Sequence, residues 1–296
     1  MSERSLEVLA PGALTTVQDL GRPGYAHLGV TRSGALDRPA LRLANRLVGN
    51  AEDAAGLETT LDGVGLRAMQ SCRIAVTGAE ALVTVAGRAI AWGSAVPVPA
   101  GAEVVVGPAL RGLRSYVAVA GGIEVEAVLG SRSTDLLSGL GPPPLTAGAV
   151  LPLGLAGDAP DEGSAVPRVR DAVLHLDLGP RADWFSADAL AALEGATYEV
   201  GSASNRIGLR LTGAPVERER GGELPTEPMV LGAVQVPPSG QPVVFLADHP
   251  TTGGYPVIGV VREADLPVCA QARPGDRLTL RVVGGAAAER DRRPRS

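Results

Sequence analysis

The sequence predicts a mainly β chain folded as two barrels joined by an acidic linker. Three observations carry that expectation. Short Val-rich segments bounded by Gly, Pro or charged turns recur at 73–77, 81–85, 103–106 and 115–120, and again at 173–178, 206–211, 233–236, 243–247, 257–261 and 277–283. Gly (39) and Pro (24) together exceed a fifth of the 296 residues and are scattered, which marks turns between short strands rather than low complexity. The stretch 154–167 (GLAGDAPDEGSAVP) is acidic, rich in small residues and without apolar period, so it reads as a linker. Each half then holds enough strands to close, and closure removes the exposed edges that short strands otherwise present. The expected limits are 1–155 for the first barrel, 168–285 for the second and 286–296 for a disordered tail.

Two helices interrupt the strands. Over 38–48, Leu41, Ala44, Leu47 and Val48 recur at helical spacing. Asp37 stands as the N-cap, Pro39 in the first turn and Gly49-Asn50 at the exit. A shorter helix spans 187–193, with Ser186 before it and Gly195 after it. Pro274-Gly275-Asp276 makes a turn ahead of the last strand. Aromatic residues are only 3%, so Val, Leu, Ile and Ala must build the core.

Composition also excludes several functions. The net charge is −5 and no long basic stretch is interleaved with aromatics, which argues against a nucleic-acid partner. Every one of the 27 cationic residues is Arg. A P-loop lysine, a Schiff-base lysine and a lysine carrying biotin are thereby ruled out within this sequence. Cys72 and Cys269 match no metal spacing and are expected as free thiols in a reducing compartment. The first residues lack the basic flank and apolar run of a signal peptide, and no window approaches the roughly 20 apolar residues of a membrane span. The expectation is a cytoplasmic protein with no membrane partner. His27 and His249 fall in polar loops and His175 in a strand, with no metal-ligand spacing between them. No Gly-x-Ser-x-Gly elbow occurs.

Polar residues concentrate in three places. The first, 15–25 (TTVQDLGRPGY), is too polar and Gly-rich for a buried strand and continues through Ser33-Gly34 to the first helix. That Ser-Gly pair either presents backbone N–H groups to an anion or is a plain loop before a capped helix. The second, 248–256 (DHPTTGGYP), follows an apolar strand, and its paired glycines allow close backbone approach to a ligand or a simple turn. The third is 202–208 (SASNRIG), polar side chains that lead into a strand.

Eight segments together resemble the allophanate hydrolase subunit 2 family, which also includes the C component of bacterial 5-oxoprolinase. They are TTVQDLGRPGY (15–25), SGALD (33–37), LANRLVGN (43–50), LETTLDG (57–63), GSRSTDLLSGLG (130–141), SNRIGLRLTG (204–213), GAVQVPPSGQP (232–242) and LADHPTTGGYPVIGVV (246–261), in the family's order. The resemblance implies two cyclophilin-like β-barrel domains with a few short helices. It implies one of three roles: a subunit of ATP-dependent 5-oxoprolinase, a carboxyltransferase subunit of a biotin-dependent urea or amide carboxylase, or a non-enzymatic regulator of a histidine-kinase inhibitor. The first is favoured because no biotin carboxylase or biotin carrier accompanies these segments. Its partners would be the B component of 5-oxoprolinase, from the allophanate hydrolase subunit 1 family, and the A component.

In that reading ATP activates the lactam, water opens the ring, and Mg²⁺ accompanying ATP is shared with partners. No biotin is attached to this chain. Arg22 and Arg206 are assigned to carboxylate or phosphate contacts, where a planar fork suits two oxygens. Gln18, Asn205 and Gln235 hold amide groups, with Gln235 counted in the catalytic set, and Asp248 is the candidate base. Ser33, Thr251, Thr252, Gly253 and Gly254 contact substrate, the last four as oxyanion or phosphate donors, and Tyr255 walls the pocket. Asp19 and Asp37 are expected to cap turns or helices. Arg132 and Asp135 are expected either in the site or as a buried ion pair.

Overall fold

The first half of the chain builds β1 (Ser5–Ala10), β2 (Leu14–Gln18), α1 (Arg38–Val48), β3 (Gly56–Thr60), β4 (Val64–Ala68), β5 (Cys72–Val85), β6 (Arg88–Ile90), β7 (Ala95–Val98), β8 (Glu103–Val119) and β9 (Val150–Pro152). The structure, a computed structural model, describes residues 4–157, 171–222 and 224–283. The first compact unit takes in the described residues 4–25 and 32–157. Of the expected linker only 154–157 is described, and the expected tail lies outside the described residues.

β8 is the spine of this unit. Its first part pairs with β4 and its last part with β3, while β5 runs antiparallel along its length. The path β2-β3-β8-β4-β1-β9 curls as a half-barrel, with β5 carrying β6 and β7. Segments 73–77 and 81–85, expected as two strands, are one, and so are 103–106 and 115–120. The Gly and Glu residues between them sit at bulges: the β5–β8 register shifts three times between Gly78 and Val83 without breaking the pairing. The outer side of β2 is covered by loops, since Val17 and Thr15 carbonyls accept from Thr134 N and Leu145 N at 2.9 Å each.

The expectation that 15–25 contains no buried strand is wrong. Thr15, Thr16, Val17 and Gln18 are all buried in β2. Polar side chains are tolerated there because they bond locally: Thr15 Oγ1 donates to the Pro11 carbonyl at 2.6 Å and lies 2.9 Å from Thr59 Oγ1.

α1 is capped as its sequence indicates. Asp37 Oδ1 accepts from Ala40 N at 3.1 Å, and Gly49 ends the helix in the left-handed region (φ 80°). Ala44 and Val48 pack on Ala75, Ala118 and Ala120 of the sheet; Ala40 and Leu41 pack near Tyr116. The buried Tyr116 hydroxyl accepts from Asp37 N and donates to Glu58 Oε2, both at 2.7 Å. Leu36 N donates to the same Glu58 oxygen at 2.9 Å, and Arg114 lies 3.7 Å from the other. Burial holds the Tyr116 phenol well above its ordinary value, so it remains a donor at any ordinary pH.

The second compact unit comprises 26–31, 171–222 and 224–283. Its elements are β10 (Val173–Leu178), α2 (Ala187–Leu193), β11 (Thr197–Val200), β12 (Gly208–Thr212), β13 (Glu227–Pro228), β14 (Ala233–Gln235), β15 (Val243–Phe245), β16 (Thr252–Gly253), β17 (Val257–Val261), α3 (Leu266–Gln271) and β18 (Arg277–Val283). The order β10-β17-β14-β15-β12-β11-β18 closes into a seven-stranded barrel. The seam is the parallel β10–β18 pair; the other pairings are antiparallel. Leu174, Leu176, Leu209, Val234, Val244, Ile258 and Leu280 are among its buried side chains. The chain is thus mostly β with short helices, as expected. α3, with Pro267 in its first turn, is too short for a periodic signal in sequence. No helix among the described residues is long and apolar enough to cross a membrane.

Cys72 and Cys269 are free thiols. Burial pushes the Cys269 thiol up from 9.0 to about 12. Its folded value is raised, so the stability it contributes is present below about pH 9 and lost as pH rises toward 12. Native Cys269 should therefore resist iodoacetamide at pH 8 and react once urea unfolds the chain, read by mass spectrometry of the labelled peptide. Tyr116→Phe removes one of the partners of Glu58 and the hydroxyl that accepts from Asp37 N, and should cost about 2–3 kcal/mol in urea denaturation, the penalty for lost buried hydrogen bonds.

Candidate functional site

In the first unit, the Asp19 carboxylate joins two matched segments. Its Oδ1 accepts from Gly21 N at 2.7 Å and from the Ser131 and Ser133 hydroxyls at 2.6 Å each; Oδ2 accepts from Arg132 N at 2.6 Å. Four donors offset the cost of burying this side chain. The loop after β2 and the 131–134 segment are locked together. Asp19 does more than cap a turn.

A second constraint is backbone contact between residues 19–22 and 32–35. Arg22 N donates to Arg32 O at 2.8 Å and Ala35 N to Asp19 O at 2.9 Å. Gly21 and Gly34 (φ 85° and 93°) face each other so closely that a Cβ on Gly34 would lie 2.7 Å from Gly21 N. Ser33 is held at φ 52°, rare for a residue with a Cβ.

These contacts place Gln18 and Ser33. Both are fully buried and converge on one carbonyl: Thr134 O accepts from Gln18 Nε2 at 2.9 Å and Ser33 Oγ at 3.0 Å. Gln18 Nε2 also donates to Thr16 Oγ1 at 3.1 Å. A carbonyl can only accept, so the carboxamide orientation is fixed. Gln18 Oε1 and the buried Thr134 Oγ1 have no hydrogen-bond partner among the described residues. Such a stranded group costs about 1–3 kcal/mol.

Arg22 is 1% exposed and donates to the Val128 carbonyl (Nε, 3.3 Å) and the Ser133 carbonyl (Nη2). These two contacts clamp Arg22 onto the 128–133 segment. The N–H groups before α1 are likewise engaged internally: those of Ala35, Leu36 and Asp37 bind the Asp19 carbonyl, Glu58 and Tyr116. Of the two readings of that loop, the capped helix is the one observed. The expected Arg132–Asp135 ion pair does not form. Arg132 donates to Val125 O and Glu124 Oε2 at 2.9 and 3.0 Å, while Asp135 accepts from Leu137 N, Ser138 N and Ser138 Oγ. Local turn donors satisfy Asp135 before a distant guanidinium can.

In the second unit, Arg206 and Asp248 form a two-pronged ion pair, Nε to Oδ2 at 2.9 Å and Nη2 to Oδ1 at 3.0 Å. Both side chains are essentially inaccessible, at 1% and 0% exposure. The residues expected as an anion contact and a base are each other's partners in this geometry. A carboxylate with both oxygens engaged by one guanidinium holds the 206 and 248 segments in register. Asp248 N also donates to Arg206 O at 3.1 Å.

Asn205 is exposed, and its Oδ1 accepts from Ile207 N and Gly208 N at 2.8 and 3.2 Å, an Asx turn that leads into β12. Thr251, Gly253, Gly254 and Tyr255 are half-buried and Thr252 is exposed. β16 pairs with β13 as a separate two-stranded ribbon, and Glu227 of β13 takes both prongs of Arg181. The Arg181 hydrogen bonds hold the Glu227 carboxyl below its ordinary value.

Gln235 Nε2 donates to the Tyr255 carbonyl at 3.3 Å. A Cβ on Gly253 would stand 2.7 Å from that nitrogen and 3.1 Å from Met229 Cε. His249 is mostly buried, stacked on Phe245 with centroids 6.1 Å apart, and its Nδ1 lies 2.7 Å from the Pro250 carbonyl. That contact places the proton on Nδ1.

The expected residues thus fall into three groups. Gln18, Arg22 and Ser33 come together around Ser133 and Thr134 in the first unit. Arg206 joins Asp248, and Gln235 joins Gly253 and Tyr255, in the second. Sequence reasoning missed the serines at 131 and 133, Thr134, and the Arg181–Glu227 fork. The alternate Ser residues of GSRSTD were the signal for the first two. Nothing in sequence links Arg181 to Glu227. Among the described residues no three His, Cys, Asp or Glu side chains group as a metal site.

The family described as carboxyltransferase domain, subdomains A and B, matches residues 28–282. The chain is 38% identical to the C component of 5-oxoprolinase from Escherichia coli over 90% of its length and 87% of that protein's. It is 32% identical to the corresponding 5-oxoprolinase component of Haemophilus influenzae, over 97% and 94% of the two chains. The crystal structure of the K. lactis urea amidolyase superposes with a TM-score of 0.88 at 32% identity, covering 95% of this chain but 19% of that one.

Removing Asp248 alone leaves Arg206 charged and buried. Asp248→Ala should cost about 3–5 kcal/mol in urea denaturation, whereas the double variant R206M/D248L should recover most of that loss.

Proposed function

Because the chain belongs to the carboxyltransferase-domain family, subdomains A and B, we propose that it is the C component of an ATP-dependent 5-oxoprolinase. With the B and A components it would open 5-oxo-L-proline to L-glutamate in the cytoplasm. One observation carries this reading: the near full-length match to two bacterial proteins that bear that component's name. Membership alone does not choose a reaction, and the likeness to urea amidolyase favours a second reading, a carboxyltransferase component that works on a ureido ring.

The two readings share a chemistry. Biotin's ureido ring and 5-oxoproline are both five-membered cyclic amides, so each needs an acceptor for ring N–H and donors for ring C=O. In the oxoprolinase reaction ATP phosphorylates the lactam oxygen, water adds to the activated carbon, and the ring C–N bond breaks to give glutamate, ADP and phosphate. Gln235, with its amide nitrogen held by Tyr255, contacts the ring. Thr251, Thr252, Gly253 and Gly254 face the phosphate or oxyanion, with Asn205 at the rim and Tyr255 as wall. The Arg206–Asp248 pair positions these loops. In the first unit, taken by itself, Gln18 and Ser33 are assigned to substrate contacts and Arg22 to shaping their loop. The Mg²⁺ that accompanies ATP is assigned to the partner components.

Co-purification with the B and A components should yield 5-oxoproline-dependent ATP hydrolysis with glutamate release. An intact complex without that activity overturns the reading; carboxyl transfer from carboxybiotin would then establish the second. Within an active complex, Gly253→Ala pushes Gln235 out of place and should lower kcat/KM about tenfold or more with Tm unchanged.

A further inference from the structure

We propose that the outer face of β5 and β8 around Leu82, Val105 and Leu110 is the contact surface of a two-fold dimer of this chain. Such a contact is independent of the reaction the chain serves. The inner face of these strands is core: Ala81, Val83, Val85, Val104 and Val106 are buried there. The outer face divides. One end carries Ala75, Ala118 and Ala120, which α1 covers. Farther along the same strands Leu82, Val105 and Leu110 stand 60%, 44% and 65% exposed. The solvated face of an antiparallel sheet is ordinarily polar, so three large apolar side chains there depart from the rule.

Strand pairing sets these side chains together. Thr84 pairs with Val105, and directly opposed residues of an antiparallel pair share a face; Leu82 is two residues from Thr84 and shares it too. Across from Leu82 stands Gly107, where a Cβ would lie 3.9 Å from Leu82 Cβ, so β8 offers no side chain there to screen it. Glu80 pairs with Arg111 and Ala81 with Ala109, which leaves Leu110 as the extra residue of a bulge. Leu61 extends the patch along the flank of β8. It is 43% exposed, its N donates to Leu113 O at 2.9 Å, and its carbonyl accepts from Ala109 N at 2.7 Å. Its φ is 59°, a conformation that a residue with a Cβ adopts at a cost. Clustered exposed apolar side chains of this kind mark a protein contact.

The charges at the two ends of the patch select a second copy. Along β8 the apolar stretch begins after Glu103 and ends before Arg111. Glu103 shares Arg67 with Glu7, at 2.9 Å from each carboxylate, so two acids face one base and that end keeps a negative excess. At the other end Arg111 is 78% exposed and held only loosely, 3.9 Å from Glu80. A two-fold axis through the apolar centre reverses β8 of the second copy. It then sets Arg111 of each copy against Glu103 of the other, with Leu82, Val105 and Leu110 between them. A partner of single charge finds no such match, because the two ends differ in sign.

The test is sedimentation equilibrium of the full chain from about 1 to about 100 μM, the range in which a small interface associates. The mass should rise from that of one chain toward that of two. Leu82→Glu and Leu110→Glu, both at exposed positions, should each weaken association about tenfold or more with Tm unchanged. Glu103→Arg and Arg111→Glu should each weaken it as well, since every homodimer then opposes like charges. An equimolar mixture of those two variants should regain the dimer, because each Arg111–Glu103 contact is restored with its charges of opposite sign; a contact within one chain would not respond to mixing. A chain monomeric throughout overturns the proposal, even where Leu82→Glu then blocks co-purification with the B component, for the face would belong to that partner. Leucine variants that associate as the unaltered chain does, or a mixture no better than either variant alone, overturn it too.

Discussion

The first unit's candidate site depends on one buried carboxylate. Asp19 sits where β2 ends, and its two oxygens collect a backbone N–H from its own loop and three donors from residues 131–133. Removing a carboxylate from water is costly, and only that many donors make it tolerable. The consequence is positional. With the two segments fixed together, Thr134 O meets Gln18 and Ser33, and the Ser133 carbonyl meets Arg22. The close crossing of Gly21 and Gly34 serves the same end, since a side chain at either position would force the loops apart.

The second unit solves a similar problem with a different device. Arg206 and Asp248 neutralise each other in a dry interior and so fasten the segment before β12 to the one after β15. The ribbon of β13 and β16 is held from outside by Arg181 and Glu227, and from inside by the absence of a side chain at Gly253. Gln235 has its nitrogen anchored to the Tyr255 carbonyl, as Gln18 has its own anchored to the Thr134 carbonyl in the other unit.

Much of the fold was legible in the order of residues. Asp37, Pro39 and Gly49 mark α1 because capping is local chemistry, complete within a few residues. The strands of the second unit were visible because Val-rich runs stop at turn residues on both sides. The long β5 and β8 were read in halves, since a bulge and a turn use the same Gly and charged residues, and only pairing across the sheet distinguishes them. β2 was missed because its threonines and Gln18 look like loop residues until their partners, Pro11, Thr59 and Thr134, are in place.

By itself the sequence determined the class of the protein: mostly β, two units, arginine as its sole cation, and polar clusters in segments 15–25, 204–213 and 246–261. Such properties are sums over residues or runs of neighbours, so they survive without coordinates. Only the tertiary structure decided what the charged groups in those clusters do. Arg22, Arg206 and Asp248 read as chemistry when taken singly, because a sequence shows a charge but not what surrounds it. Their partners in the fold lie 42 to 111 residues away and are carbonyls or each other, and no local pattern in a sequence shows contacts at that separation.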